Sequence, residues 1–427
     1  MRVMKWSMIA LAVSASTSQF AMASSQEESK GFFEDQSLKV LTRALYMNRD
    51  FKNNPGGQSY REESGVAARA IYESGFTQGT VGVGVDAFAL GTVRIDGGTG
   101  RAGNGLFAQD SDGNLEDTQS RAGGAVKFRL SDTVLKYGNQ FTSSPVFSTD
   151  DSRLLPEVAT GTLITSNEIK GLELSAGRFT SLSSQTGMGR DSIDVRSDAQ
   201  VDAGVPAGLT SANIAGATYQ FTDNFVAGVA ASDVEDHYKK KYLNLNYTLP
   251  INEDQSLNFD FNGYDSQDQG RKLSGDVDNR IWSLAAAYSL GAHKFTVAHQ
   301  RSTGDSGYVY GVDGGGTIFL ANSIQYSDFN NQDERSWQAR YDLNMKTYGV
   351  PGLSFMTRYV RGDNITVGDD TDNKEHELDF ETKYVMQSGP AKDLSFRVRS
   401  AFYRGSTGVG SDNNDFRFIV EYPLSIL

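Results

Sequence analysis

The chain has 427 residues, a net charge of -13, 38% apolar residues and no cysteine. The missing cysteine excludes disulfides, thiolate metal sites and a thiol nucleophile. The acidic balance argues against a general nucleic-acid binder, which would show a basic surface, and no run of about 18 apolar residues exists to form a transmembrane helix.

The N-terminal run MRVMKWSMIALAVSASTSQFAMA carries Arg2 and Lys5, then an apolar stretch from Met8 to Val13, then small residues. Ala21-Met22-Ala23 fits an A-x-A cleavage site, so residues 1–23 are expected to be a signal peptide and 24–427 a single mature domain. Residues 24–36 read as a short polar arm.

From there to the end, segments of period 2 recur, as half-buried strands require. GGAVKFRLS sets Val126, Phe128 and Leu130 against Lys127 and Arg129. YLNLNYTL sets Leu243, Leu245, Tyr247 and Leu249 against Asn244, Asn246 and Thr248, and SLNFDFNGY sets Leu257, Phe259 and Phe261 against Asn258, Asp260 and Asn262. SWQARYDLNM, DLSFRVRSAFYR and FRFIVEYPL alternate in the same way. Such runs match the roughly 9–11 residues with which a tilted strand crosses a bilayer.

Short connectors at 73–79, 131–132, 170–171, 222–224, 250–254, 291–293, 346–351 and 388–391 alternate with long polar stretches, among them 97–120, 141–158, 181–210, 303–335 and 362–373. Short turns at one end and long loops at the other are the signature of a transmembrane β-barrel. Eight short turns join sixteen strands. A first strand near Leu38–Tyr46 and a last near Phe416–Leu424 make the expected fold an all-β, 18-stranded antiparallel barrel of a Gram-negative outer membrane. Its apolar face would meet membrane lipid and lipopolysaccharide. Tyr247, Tyr288, Tyr341, Tyr348, Tyr359, Tyr384 and Tyr422 fall at or near strand ends, where interfacial girdles belong.

In WSLAAAYSL the outward set is Trp282, Leu284, Ala286 and Tyr288, and the inward set is Ser283, Ala285, Ala287 and Ser289. Small inward residues imply a roomy lumen, and 16–18 strands leave an aqueous channel unless loops constrict it. By alternation Lys383, Arg397, Arg399 and Arg417 point inward on the last three strands. Arg397 and Arg399 sit about 6.7 Å apart along their strand. Their repulsion is about 0.6 kcal/mol in water, against an upper bound near 12 kcal/mol in a dry core. That face is therefore wet or well paired. One reading is a positive track that lowers the barrier for a carboxylate solute. The other is a set of lumen salt bridges to Asp379, Glu381 and Glu421.

The stretch DGGGTIFLANSIQYSDF (313–329) lacks the Lys-Ser/Thr of a phosphate-binding loop. Its apolar centre, Ile318-Phe319-Leu320, fits a loop folded into the lumen, where Asp313 and Asp328 would supply negative charge. PVFSTDDSRLLPE (145–157), with Arg153, has the same character. His237, His293, His299 and His376 show no metal-ligand or triad spacing, so neither an enzyme nor a cofactor is expected.

YESGFTQGTVGVGVDAF, SRAGGAVKFRLS, SRLLPEVATG, QYSDFN, SWQARYDLN, YGVPGLSFM, GPAKDLSFRVR and the terminal YPLSIL together resemble the OprD family of substrate-specific outer-membrane porins, also called carboxylate channels. The resemblance covers nearly the whole chain. It implies a monomeric or loosely trimeric 18-stranded barrel whose third, fourth and seventh outer loops (here 141–158, 181–210 and 303–335) fold inward. It also implies a lumen ladder of basic residues, falling on Arg49, Arg61, Arg153, Lys383, Arg397, Arg399 and Arg417. Opposite, the seventh loop would offer Tyr310, Asp313, Ser323, Tyr326 and Asp328. Where some members carry an acidic residue before IFLANS, this chain has Gly316-Thr317, with Asp313 a few residues earlier. The IFLANS segment points to the branch for basic or zwitterionic amino acids and small peptides. Carbapenem-like antibiotics are a second cargo by the same analogy, and a barrel plugged by its loops, structural or adhesive, is the competing class.

Overall fold

The computed structural model describes residues 26–52, 57–110, 112–189 and 208–427. The expected signal peptide and most of the 181–210 loop lie outside them. The first third of the barrel is β1 (Ser37–Phe51), β2 (Tyr60–Glu73), β3 (Val81–Asp96), β4 (Thr118–Leu130), β5 (Thr133–Gln140) and β6 (Val158–Ile169). Then come β7 (Leu172–Ser183), β8 (Ala212–Thr222), β9 (Phe225–Val234), β10 (Tyr238–Asn252), β11 (Gln255–Asp268) and β12 (Asp278–Leu290). β13 (His293–Thr303), β14 (Arg335–Asn344), β15 (Leu353–Val367), β16 (Asp370–Val385), β17 (Ser395–Gly405) and β18 (Asn413–Ser425) complete it. Each strand pairs antiparallel with the next, and β1 pairs with β18 as well as β2, so the 18-stranded sheet closes without an edge. The expected barrel is the observed one.

Burial is inverted relative to a water-soluble sheet. Trp337, Phe396, Val398, Phe402, Phe416 and Phe418 stand exposed on the outer wall, while Ser283, Gln300, Ser336, Gln338, Glu377 and Asp379 are buried inside. In lipid the outward apolar side chains are the ones withdrawn from water. The eight short turns share one end with both termini of the strand set. There Tyr341 and Tyr348 hydroxyls bond the two ring nitrogens of His293 at 2.7 and 3.0 Å. His299 sits on the outer face as its parity requires, stacked on Trp337 with ring centres 4.3 Å apart.

One expected loop is not a loop. The stretch 362–373 is mostly strand, because β15 runs on to Val367 and β16 starts at Asp370. Its polar composition hides Ile365, which is fully buried. The Asn364 amide donates to the Asp333 carbonyl and the Thr366 N–H to that of Gln332, so the edge of the 304–334 loop holds this extension.

The apolar core lies inside the barrel and is made largely by loops. Val146 and Phe147 of the 141–157 loop pack with Tyr308, Val312 and Leu320 of the 304–334 loop against Tyr238, Tyr242 and Tyr264 of the wall. Leu154 and Leu155 pack with Leu106 and Phe107 of the 97–117 loop against Leu45 and Met47. The third and seventh loops thus fold inward as expected, and the second joins them. Leu320 is buried, but Phe319 keeps 38% of its surface exposed and reaches the Tyr242 ring.

Candidate functional site: the lumen wall and its two inward loops

Strand register turns the inward arginines into a staircase. Arg61 on β2 lies opposite Arg49 on β1, and Arg49 lies opposite Asp415 on β18. Two residues on, Arg417 lies opposite Arg399 on β17; two further, Arg397 lies opposite Lys383 on β16. Each sideways step is about 4.8 Å and each step along a strand about 6.7 Å. The row therefore descends across five strands from the outer half toward the short-turn end.

The charges along it are under-compensated. Asp415 takes both Arg49 and Arg417, each through Nε at 2.7 Å. Glu381 takes both Arg397 and Arg399, with Nε–O distances of 3.0 and 3.2 Å. Arg61 donates to the Gly103 carbonyl and Arg153 to the Asn104 carbonyl. Among the described residues neither these two nor Lys383 pairs with a carboxylate. Of the three expected salt-bridge partners, Glu381 alone serves the ladder. Asp379 holds Arg358, and Glu421 holds Arg43. Arg153 comes in from the 141–157 loop. Burial and then the charges of Arg417 and Arg49 press its guanidinium down to about 10, so it stays cationic at neutral pH.

The seventh-loop residues separate into three places. Tyr310, Ser323 and Asp328 come together: the Ser323 hydroxyl donates to Asp328 at 2.6 Å, and the Tyr310 hydroxyl bonds its other oxygen. Burial raises the Asp328 carboxyl, and these two hydroxyls oppose the rise. Tyr326 instead crosses to the ladder. Arg49 lies over its ring at 5.1 Å and Tyr403 packs on it at 4.8 Å. The Tyr326 and Ser327 N–H groups donate to Glu377 at 2.9 and 2.8 Å, and Gln325 bonds both Asp415 and Arg417. Asp313 does not line the lumen. It is fully buried against Lys240, 2.6 Å away, and accepts from the Tyr238 hydroxyl, the Thr317 hydroxyl and the Gly311 N–H. Expected as a pore charge, Asp313 is an anchor, because Lys240 on β10 points inward to meet it.

The two loops also hold each other. Glu157 accepts from the Asp150 and Gly315 N–H groups at 2.8 and 3.0 Å, and burial pushes its carboxyl up to about 8. Two arginines not singled out from the sequence pin the third loop to the wall. Arg43 and Arg69 share Asp151, and both donate to backbone carbonyls at Arg153. Their parity with Arg49 and Arg61 was the available signal. On the far wall the Asn244, Asn246 and Asn262 amides converge on Asp260 at 3.0, 2.8 and 2.7 Å, with no cation paired to it among the described residues.

The chain and its barrel have counterparts among known proteins. The family described as outer membrane porin, OprD family, matches residues 30–426. Porin D of Pseudomonas aeruginosa is 48% identical, with all of both chains covered. The crystal structure of Acinetobacter baumannii OccAB1 superposes with a TM-score of 0.87 at 34% identity, covering 95% of this chain and all of that one. The crystal structure of Pseudomonas aeruginosa OprD superposes at 0.79 with 45% identity, covering 95% of this chain and 99% of that one.

Proposed function

The chain belongs to the OprD family of outer-membrane porins, and we propose that its basic stair is the route by which small carboxylate-bearing solutes diffuse passively to the periplasm. The observation that carries this is the two-to-one sharing of Glu381 and Asp415 among four arginines. A guanidinium 4 Å from a carboxylate is worth about 4 kcal/mol at an effective dielectric constant of 20. A fully paired arginine would offer little of that. Half-compensated sites in register let the carboxylate pass from one to the next, which conduction requires.

The pocket of Tyr310, Ser323 and Asp328 supports solutes that also carry a cation: amino acids, small peptides and carbapenem-type antibiotics. No catalytic residue, cofactor or metal enters this reading. The experiment is uptake of carboxylate solutes into proteoliposomes by the Arg397→Gln/Arg399→Gln variant, alongside single-channel conductance. Uptake is expected to fall severalfold while stepwise current persists. Unchanged uptake would reduce both arginines to structural partners of Glu381. Absence of stepwise current in the wild type would favour a plugged barrel.

A further inference from the structure

The outer wall carries a second basic array that faces lipid and not the lumen. Arg301 (β13), Arg335 (β14), Arg361 (β15), His376 (β16) and Arg404 (β17) share the outward parity of Val297, Trp337, Tyr359, Leu378 and Phe402. They are also neighbours in register. Arg301 lies opposite Arg335, and His376 lies opposite both Arg361 and Arg404; Trp337, two residues beyond Arg335, lies opposite Arg361. Lys374 is the next outward residue beyond His376.

The height of the row fits the outer membrane–water boundary. From Arg335 to Leu343, the last outward residue of β14, eight residues span about 27 Å along the strand, or about 21 Å of height at a 40° tilt. An apolar band about 25 Å tall is what a barrel presents to lipid. The long-loop end is the outer one, so the row lies at the outer leaflet. Just below it the outward rings of Trp337 and Tyr359 stand 59% and 41% exposed.

These cations are mostly not neutralised by the protein. Arg335 pairs with Asp363, and Arg404 donates to backbone carbonyls and to Asn414. Among the described residues neither Arg301, Arg361, Lys374 nor Arg404 has a carboxylate partner; the nearby Asp412 accepts from the Gly405 N–H. The adjoining arc differs. On β9–β12, Lys241 and Arg280 share Asp265, and Lys239 pairs with Asp233. In a chain of net charge -13, leaving one outward arc uncompensated at headgroup level calls for an anionic partner outside the protein.

We propose that the β13–β17 arc binds the phosphate groups of an outer-leaflet phosphorylated glycolipid. The arginines take the phosphates by charge-assisted hydrogen bonds, Trp337 and Tyr359 take the region below them, and the acyl chains lie along Val297, Ala339 and Phe380. Five strands at about 4.8 Å spacing give the arc a width of about 19 Å, that of a headgroup and not of a single ion. The inference rests on the outer-membrane location and is independent of the lumen stair.

The test uses the full chain in detergent micelles, titrated with bis-phosphorylated lipid A and with its dephosphorylated form, read by native mass spectrometry. The wild type is expected to retain the phosphorylated form preferentially. The Arg301→Gln/Arg361→Gln/Arg404→Gln variant is expected to bind it about a hundredfold more weakly, at roughly fivefold per surface cation. Its channel conductance should be unchanged, which also reports its folding. The Lys239→Gln/Lys241→Gln/Arg280→Gln variant of the paired arc should bind within about twofold of the wild type. Equal binding of both lipid forms to the wild type overturns the proposal without any variant. So does full competition by inorganic phosphate, which would mean a free-ion site, or an equal loss in the two variants. A photo-crosslinker at position 361 that captures a protein in the outer membrane, and no glycolipid, would overturn it in favour of a protein partner.

Discussion

Removing the charge of Asp313 should open the channel while leaving the barrel intact. Asp313 and Lys240 are each wholly withdrawn from solvent, and the ammonium lies 4.7 and 4.5 Å from the ring centres of Tyr238 and Tyr308. Asparagine keeps an acceptor for the Tyr238 hydroxyl and deletes the charge. A buried cation left without its partner costs about 3–5 kcal/mol. The eighteen-strand wall does not depend on Asp313, so this cost falls on docking of the 304–334 loop. It shifts that equilibrium toward release by about two to three and a half powers of ten, at about 1.4 kcal/mol each. Single-channel recordings of Asp313→Asn should then show higher conductance, more open-channel noise and weaker discrimination among solutes. Limited proteolysis should cut between residues 304 and 334. The double change Lys240→Met/Asp313→Leu removes both charges and should restore the quiet channel, since apolar replacement of a buried pair is often neutral. Wild-type conductance, noise and protease resistance in Asp313→Asn would refute the anchor.

Other consequences concern the joint between the loops. The Glu157 carboxyl is raised to about 8 by burial, so its neutral form is favoured in the docked loops. Its stabilisation is complete below the unfolded value near 4.3 and is lost as pH rises through about 8, up to about 5 kcal/mol in all. Channel noise should therefore grow between about pH 4 and pH 8 in the wild type, level off above that, and stay flat in Glu157→Gln. Gly314 has φ +103, and a Cβ there would sit 1.8 Å from the Ser148 carbonyl oxygen, so Gly314→Ala should separate the two loops and expose both to protease. Asp151→Asn removes the carboxylate shared by Arg43 and Arg69. At about 1.5–3 kcal/mol for a charged hydrogen bond, it should free the third loop and raise conductance without changing heat stability of the barrel.

The wall was legible in the sequence because lipid outside and water inside impose one rule on every strand. Parity alone placed Lys383, Arg397, Arg399 and Arg417 inward, and the register keeps them there. Loops carry no such period. IFLANS revealed that its segment is covered, but not that Asp313 would meet Lys240 while Asp328 meets Tyr310 and Ser323. That division depends on the loop's path across the barrel. The 362–373 stretch misled for the opposite reason: its charges mark a hairpin extending beyond the membrane, and its one core residue, Ile365, is covered by a loop from elsewhere in the chain. The convergence of three asparagines on Asp260 was hidden although all four lay on the recognised polar face: Asn262 is two residues along the same strand, but only cross-strand register brings Asn244 and Asn246 to it.

The seam between β1 and β18 also governs how the molecule is made. The Thr42 hydroxyl donates to the Tyr422 carbonyl across 380 positions of chain. Closure entropy grows only about 0.6 kcal/mol per doubling of length, so this contact costs roughly 2.5 kcal/mol more than a hairpin of two dozen residues. In time the difference is large, because contacts remote in sequence slow folding. Once β1 has paired with β2, its other flank stays open until the last thirteen-residue strand arrives. Any delay in delivering that strand leaves β1 as an open template for another chain. Loss of a few C-terminal residues should therefore produce aggregation during biogenesis, long before it affects the finished wall.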